Sequence, residues 1–290
     1  MIFVLYAHGA GFYSKQAYLA ARSIMARQPS ARAVIYTPYA LADPQLDVRQ
    51  ISRFELESWR GALAFHHRMK MCMLIRAHLE LGDDTPFCFI DADMYCRTMP
   101  DELMSPGGKA LFFEKEGPVG PSFHAQLHDF FIERREELAG AGYGALQPNL
   151  AMYNSGLVYL PPGAGRLRVF EEVLRLTDFL CLRFSQQMTW LEQTAFSHIV
   201  PLHYDVATPK AGFEHYWKCN SEMARLLENM SLADINAIAV EEGRFAELLL
   251  RAKAMRCQYD NKLHQTIRNW KGSLRKRLAI IRAHKLIGTS

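Results

Sequence analysis

Phe87-Cys88-Phe89-Ile90-Asp91-Ala92-Asp93-Met94 is the stretch that decides the fold. Its first four residues are continuously apolar and β-prone, which reads as a strand buried on both faces of a parallel sheet. Upstream, Ile2–Ala7 is a second short apolar run; Gly9 and Gly11 follow it, giving a strand and then a loop. Apolar residues recur at helical spacing from Lys15 to Arg27, and Pro29 stops them. Ala33–Thr37 reads as a strand closed by Pro38, and Val48–Ile51 as another. Arg60–Leu81 reads as one long helix ended by Gly82 and Asp83-Asp84. Strands alternating with helices predict βαβ units, hence an α/β fold with a mostly parallel mixed sheet flanked by helices.

Downstream, Ala110–Phe113 and Gly156–Leu160 read as strands, and Phe123–Leu138, Arg166–Leu182 and Met188–Ile199 as helices. Residues 139–149 form a Gly-rich loop without periodicity, a feature that inside a domain is usually functional. No repeat or low-complexity linker interrupts the chain. The expected organisation is one domain over 1–220 and a helical, basic C-terminal extension over 221–290. The 290 residues suffice for a sizeable core, and 49% hydrophobic with 22% charged residues excludes a disordered or fibrous chain.

Net charge is +4, too balanced to imply nucleic acid. Its distribution is uneven. Residues 251–290 hold eleven Lys/Arg against the single acid Asp260, a net +10, which leaves residues 1–250 at −6. Within this tail Trp270, Leu274, Leu278 and Ile281 form an apolar stripe beside basic positions, the pattern of an interfacial helix. An anionic membrane surface is therefore an expected partner of the tail; nucleic acid is not, since no nucleic-acid-binding fold accompanies the charge. No run approaches the roughly 18 apolar residues of a membrane span. The N-terminus lacks the basic region of a signal peptide. Cysteines 72, 88, 96, 181, 219 and 257 are scattered without a CxxC and read as reduced thiols. The expected location is cytoplasmic, peripheral on the inner face of a bacterial cytoplasmic membrane.

The chemistry starts at Asp91 and Asp93. Residues i and i+2 of an extended segment point the same way, at the strand end where parallel α/β sheets bind ligands. Two like charges aimed at one point repel, and a divalent cation such as Mn²⁺ or Mg²⁺ removes that cost. The Met69-Lys70-Met71-Cys72-Met73 run reads as core packing.

Around this motif stand Arg68 and Lys70, then Tyr153-Asn154-Ser155-Gly156-Leu157-Val158-Tyr159-Leu160, then Glu192-Gln193, then Gly212-Phe213-Glu214-His215-Tyr216-Trp217-Lys218. In that order the chain resembles the GT-A fold nucleotide-sugar glycosyltransferases, particularly those of glycosyltransferase family eight, over roughly residues 2–220. The resemblance implies a Rossmann-like GT-A fold and a metal-dependent hexosyltransferase. Its donor is a nucleotide sugar, UDP-linked by family habit. Its acceptor is a glycan, glycolipid or lipopolysaccharide-type, lipid-linked molecule, and transfer proceeds with retention.

By the same resemblance Asp91 and Asp93 hold the metal, with His215 as third ligand and His203 as its rival. Asp91 also touches the ribose. His8, Gly9 and Tyr13 line the base and ribose, Lys70 or Arg68 reaches the diphosphate, and Lys218 neutralises the departing phosphate. Asn154 and Ser155 contact the donor sugar or acceptor. Gln193 and Glu192 face the reacting sugar carbon, and Glu192 and Glu214 are the base candidates for an inverting reaction. The last segment departs from the family pattern: it is compressed and lacks a proline. Two rivals stand beside this reading. One is a haloacid-dehalogenase-type phosphatase, whose motif is also a strand ending in DxD; Tyr95 and the absence of a later paired-Asp segment speak against it. The other is a non-catalytic nucleotide-sugar-binding protein.

Overall fold

A computed structural model of the chain describes residues 1–8, 11–61, 65–118, 133–143, 151–184, 191–209 and 212–260. Its centre is a seven-stranded sheet ordered β10-β6-β9-β4-β1-β2-β3. The strands are β1 (Ile2–Tyr6), β2 (Arg32–Thr37), β3 (Asp47–Gln50), β4 (Phe87–Asp91), β6 (Ala110–Phe112), β9 (Leu157–Tyr159) and β10 (Val206–Ala207). All pairs are parallel except those made by β9, which runs antiparallel to both β4 and β6. The expected mixed, mostly parallel α/β sheet is present.

Strand alternation divides the core. Phe3, Leu5, Ile35, Cys88 and Ile90 face one apolar cluster, and Ile2, Val4, Val34, Phe87 and Phe89 face the other. Helix α1 (Gly11–Arg27) covers the first face. Helices α3 (His66–Leu81), α6 (Gly165–Phe184) and α7 (Leu191–His203) cover the second. Met69, Met71 and Met73 are buried in this second cluster, as their run predicts.

Of the predicted helix over 60–81, residues 66–81 form α3, and a helix that was not predicted precedes it. Helix α2 (Arg53–Arg60) opens on a capping box between Ser52 and Glu55 and stops at Gly61. Gly61 has φ +63, a left-handed conformation that glycine adopts without strain. Helix α3 starts afresh at His66. Helix α1 starts at Gly11, where a loop was expected. Helix α7 runs through Pro201 to His203, beyond the expected Ile199. Residues 123–132, 144–149 and 188–190 of the predicted elements lie outside the described residues, as does the tail from 261. Among the described residues, the middle of the chain also holds two short helices, α4 (Asp101–Met104) and α5 (Arg135–Gly140), and two small antiparallel ribbons. One ribbon pairs β5 (Met94–Cys96) with β11 (Phe213–His215), the other β7 (Lys115–Pro118) with β8 (Ala151–Tyr153).

A 3₁₀ turn at Trp217–Cys219 leads directly into α8 (Asn220–Glu228), α9 (Leu232–Val240) and α10 (242–260). These helices share the apolar cluster of α1. Lys15 Nζ donates to the carbonyls of Glu228 (2.5 Å) and Met230 (2.8 Å), placing a cation where α8 exposes unpaired acceptors. Phe245 of α10 is fully buried and stacks on Tyr95 of β5 at 3.6 Å between centroids. The tyrosine hydroxyl donates to Ala239 O (3.1 Å). Helices beyond residue 220 are thus fastened to the ribbon that follows the acidic motif. Phe245→Ala should destabilise the chain by about 3–5 kcal/mol through the cavity it leaves; equilibrium denaturation measures this, and an unshifted midpoint would detach α10 from the core.

Candidate functional site

Strand β4 pairs with β1 so that Tyr6 lies opposite Asp91. Antiparallel β9 places Ile90 opposite Leu157, and Asp91 N donates to Gly156 O at 2.7 Å. Residue 91 is therefore held at the C-terminal sheet edge from both sides. Ala92 and Asp93 form a turn, so the two carboxylates converge across that turn and not by strand alternation. The turn feeds β5, whose partner β11 sets His215 opposite Met94. Asp91, Asp93 and His215 each offer one ligand atom, and these atoms all lie within 4.8 Å of one another. His215 Nε2 is 3.3 Å from Asp93 Oδ1. The other ring nitrogen, Nδ1, is buried without a hydrogen-bond partner. Two carboxylates and an imidazole are a donor set suited to a hard or borderline divalent ion, so the residues present fit a metal. Gly156 makes this approach possible: a Cβ there would stand 3.0 Å from His215 Cε1 and from Asn154 Oδ1.

Lys70 is the second organiser. It projects from α3 and is buried, with 8% side-chain exposure. Its Nζ lies 3.2 Å from Asp91 Oδ1 and 3.3 Å from Glu192 Oε1, and donates to Ser155 O and Oγ at 3.1 Å each. Glu192, also buried, accepts from Ser155 Oγ at 2.8 Å and faces His67 Nδ1 at 3.6 Å. Burial alone would favour the neutral amine, but Asp91 and Glu192 outweigh it and hold the Lys70 ammonium above its ordinary range. Burial likewise opposes ionisation of Glu192, yet His67, Lys70 and the Ser155 hydroxyl keep its carboxyl below the ordinary range. Asp91 goes the other way: burial, aided by Asp93, raises it against the pull of Lys70 and His215. The signs give a window. The Glu192 contribution is present above the unfolded carboxylate range and fades as pH falls through its lowered value. The Lys70 contribution is present below the unfolded lysine range and fades as pH rises through its raised value. Asp91 instead costs stability as pH rises, a cost that a nearby cation relieves.

Sequence reasoning missed Glu116. This β7 residue accepts from Asn154 Nδ2 (2.8 Å) and from Gln193 Nε2 (2.7 Å), so one carboxylate joins two predicted site residues. No spacing or motif marks it, and β7 itself is too short for a periodic signal.

The remaining predicted residues divide. His8 stacks on Tyr6 at 4.9 Å and lies 5.5 Å from His66. Burial first, then His66, Arg60 and His67, push its imidazole down to about 4, so it is neutral at pH 7. Gly9 lies outside the described residues. Tyr13 packs against the core, and Lys218 is exposed with its ammonium 5.4 Å from the Trp217 ring centroid. Neither bonds to the acidic group. Arg68, the alternative to Lys70, pairs with Asp178 at 2.6 Å. His203, the rival of His215, pairs with Glu172 at 2.7 Å, away from the motif. Glu214 faces Arg97 and Lys253.

No family model matches the sequence, and no curated protein is similar to it. The fold is similar to solved structures. The galactosyltransferase LgtC, in complex with donor and acceptor sugar analogs, aligns with TM-score 0.46 and 11% identity over 72% of this chain and 73% of that one. Mouse xyloside xylosyltransferase 1 aligns with TM-score 0.41 and 14% identity over 70% and 82%. GlyE of Streptococcus pneumoniae TIGR4 aligns with TM-score 0.42 and 12% identity over 81% of this chain and 51% of that one, about half of its length.

Lys70→Met removes the charge but keeps the length, leaving Asp91 and Glu192 without their shared cation. Breaking a buried pair this way costs about 3–5 kcal/mol. Thermal and denaturant unfolding should both register the loss; a variant as stable as the parent would show that the three groups are not coupled.

Proposed function

We propose that the chain is a metal-dependent glycosyltransferase of the GT-A type. It would move a hexose from a nucleotide sugar, UDP-linked, to a glycan or lipid-linked acceptor with retention. The observation that carries the reading is the convergence of Asp91, Asp93 and His215 within 4.8 Å beside a buried ammonium. Asp91, Asp93 and His215 would hold Mn²⁺ or Mg²⁺. Bound there, the ion supplies Lewis-acid stabilisation of the diphosphate that leaves with extra negative charge. Asp91 also serves the ribose, and His8, Gly9 and Tyr13, beyond β1, serve the base.

Lys70 would fix the carboxylate of Asp91, its ammonium being engaged by Asp91, Ser155 and Glu192. Lys218, on its exposed turn, would meet the departing phosphate. Asn154 positions the sugar, and the Gln193 amide oxygen faces the carbon that becomes cation-like as the bond breaks. Glu192 sits beside it, but Lys70 and Ser155 already hold its carboxylate. Its lowered proton affinity suits a fixed negative charge and not a general base. Glu214 is engaged by Arg97 and Lys253. With both base candidates occupied, proton removal by the departing phosphate, the retaining course, is the reading these contacts support.

Among the described residues, no helix is long and apolar enough to cross a membrane. The +10 charge of residues 251–290 supports peripheral attachment to an anionic leaflet, where lipid-linked acceptors are made.

A thermal-shift panel of nucleotide sugars with and without Mn²⁺ tests the function. A donor at 100 times its Kd should stabilise the parent by about 2.7 kcal/mol. Asp93→Ala should lose the metal-dependent part of that shift and at least about 100-fold in transfer. Full metal-dependent activity in Asp93→Ala would reject the site.

A further inference from the structure

Strand β7 carries an irregularity at one position. Lys115 pairs with Tyr153 and Gly117 with Met152, so two residues of β7 oppose one of β8. Glu116 is the extra residue. Such bulges break the alternation of side chains and re-aim one of them. The backbone just before it is anchored: Asn154 N donates to Glu114 O at 2.9 Å, and Phe113 N donates to Asn154 O at 3.2 Å. On the opposite side, Ser197 Oγ accepts from Tyr153 N at 2.9 Å and donates to Gln193 O at 2.7 Å, tying α7 to β8. The bulge, the Asn154 loop and the first turn of α7 thus form one frame.

Within that frame the Glu116 carboxylate takes both amides. Among the described residues no cation pairs with it. An ionised carboxylate only accepts hydrogen bonds, so each amide must present its NH₂ to Glu116. That choice fixes the other end of each amide. Asn154 Oδ1 accepts from Gly156 N at 2.8 Å, within the loop whose Gly156 carbonyl receives the Asp91 amide at 2.7 Å. The Gln193 oxygen is turned away from Glu116, as amide geometry requires. Flipped, Gln193 would present two positively polarised N–H groups where its oxygen now stands.

We infer that Glu116 is a positioning residue that locks the amide orientations of Asn154 and Gln193, so that an oxygen and not an NH₂ faces the reacting sugar carbon. This inference rests on the glycosyltransferase reading for its catalytic consequence, though not for its geometry. Its effect falls on kcat, because an oxygen facing a developing positive charge interacts more strongly in the transition state than with the bound donor. Supporting residues of this kind typically carry about 10–100-fold in activity.

The test uses the full chain with Mn²⁺ and the nucleotide sugar that gives the largest thermal shift. Glu116→Ala should lower kcat by about 10–100-fold while leaving KM for the donor and the Mn²⁺-dependent thermal shift in place. Glu116→Asp, which keeps two acceptor oxygens, should recover part of the loss. In a Gln193→Ala background the same Glu116→Ala change should cost several-fold less. Independently of turnover, the side-chain NH₂ resonances of Gln193 and Asn154, assigned with Gln193→Ala and Asn154→Ala, should shift in Glu116→Ala. Unmoved resonances overturn the inference, as does a kcat within twofold of the parent or a loss undiminished in the Gln193→Ala background. A parent chain that turns over no sugar nucleotide sinks the transferase reading instead, and the resonances still decide the positioning claim.

Discussion

Negative charge gathers at one point of the sheet edge, and the rest of the site is arranged around it. Asp91, Asp93 and Glu192 bring three carboxylates together, and among the described residues Lys70 is the ammonium placed between them. Coulomb repulsion in a partly desolvated setting is steep, so this arrangement needs the chain to hold it. Two features do so. Asp91 is pinned through its own amide by Gly156, and Lys70 rises from a helix whose neighbours Met69 and Met71 are sealed in the core. Burial of an apolar stripe thus supplies the force that keeps a costly polar cluster in place.

The reversal of β9 is what completes the constellation. A purely parallel sheet would bring a strand's C-terminal end beside Asp91. The antiparallel strand instead brings its beginning, the Asn154-Ser155-Gly156 loop, with its backbone and side-chain acceptors. The same loop contacts Lys70, Asp91, Glu116 and Glu192. Ligands of open α/β sheets bind where strand order or direction switches, because the crevice opens there. Here the switch lies between β4 and β9, beside the acidic turn.

Strand β4 and its two carboxylates were legible because a continuous apolar run followed by charge has few other physical solutions. The parallel partners β1 and β2 were legible for the same reason. The ribbons β5–β11 and β7–β8 were not, since three or four residues cannot display a period of two against the background of turns. Gly61 stands one residue inside the helix that apolar spacing predicted from Arg60, and periodicity alone does not see a single left-handed residue. Choosing between His203 and His215 needed tertiary structure: one meets Glu172 across two helices, the other meets Asp93 across a ribbon. The carboxylate pair itself was foreseen for a partly mistaken reason, because the convergence comes from a turn at Ala92–Asp93 and not from an extended i, i+2 relation. Glu116 had no signal at all, since its place depends on a bulge that a sequence does not announce.

The charge balance of the cluster makes a fixed lysine and the proposed divalent ion complementary there and not redundant. Counted as three carboxylates against one ammonium, the cluster would carry two negative charges at the sheet edge. A monovalent partner would leave the site anionic and repel a diphosphate. A divalent ion held there would bring the local sum to zero, and the diphosphate of the proposed donor would then enter a field already neutralised. Lys70 could not fill the role of that ion, because its three protons are already directed at Asp91, Ser155 and Glu192. Its task in the proposed transfer is to fix where the carboxylates stand, so that the charge they leave unpaired lies at the turn and not in the core.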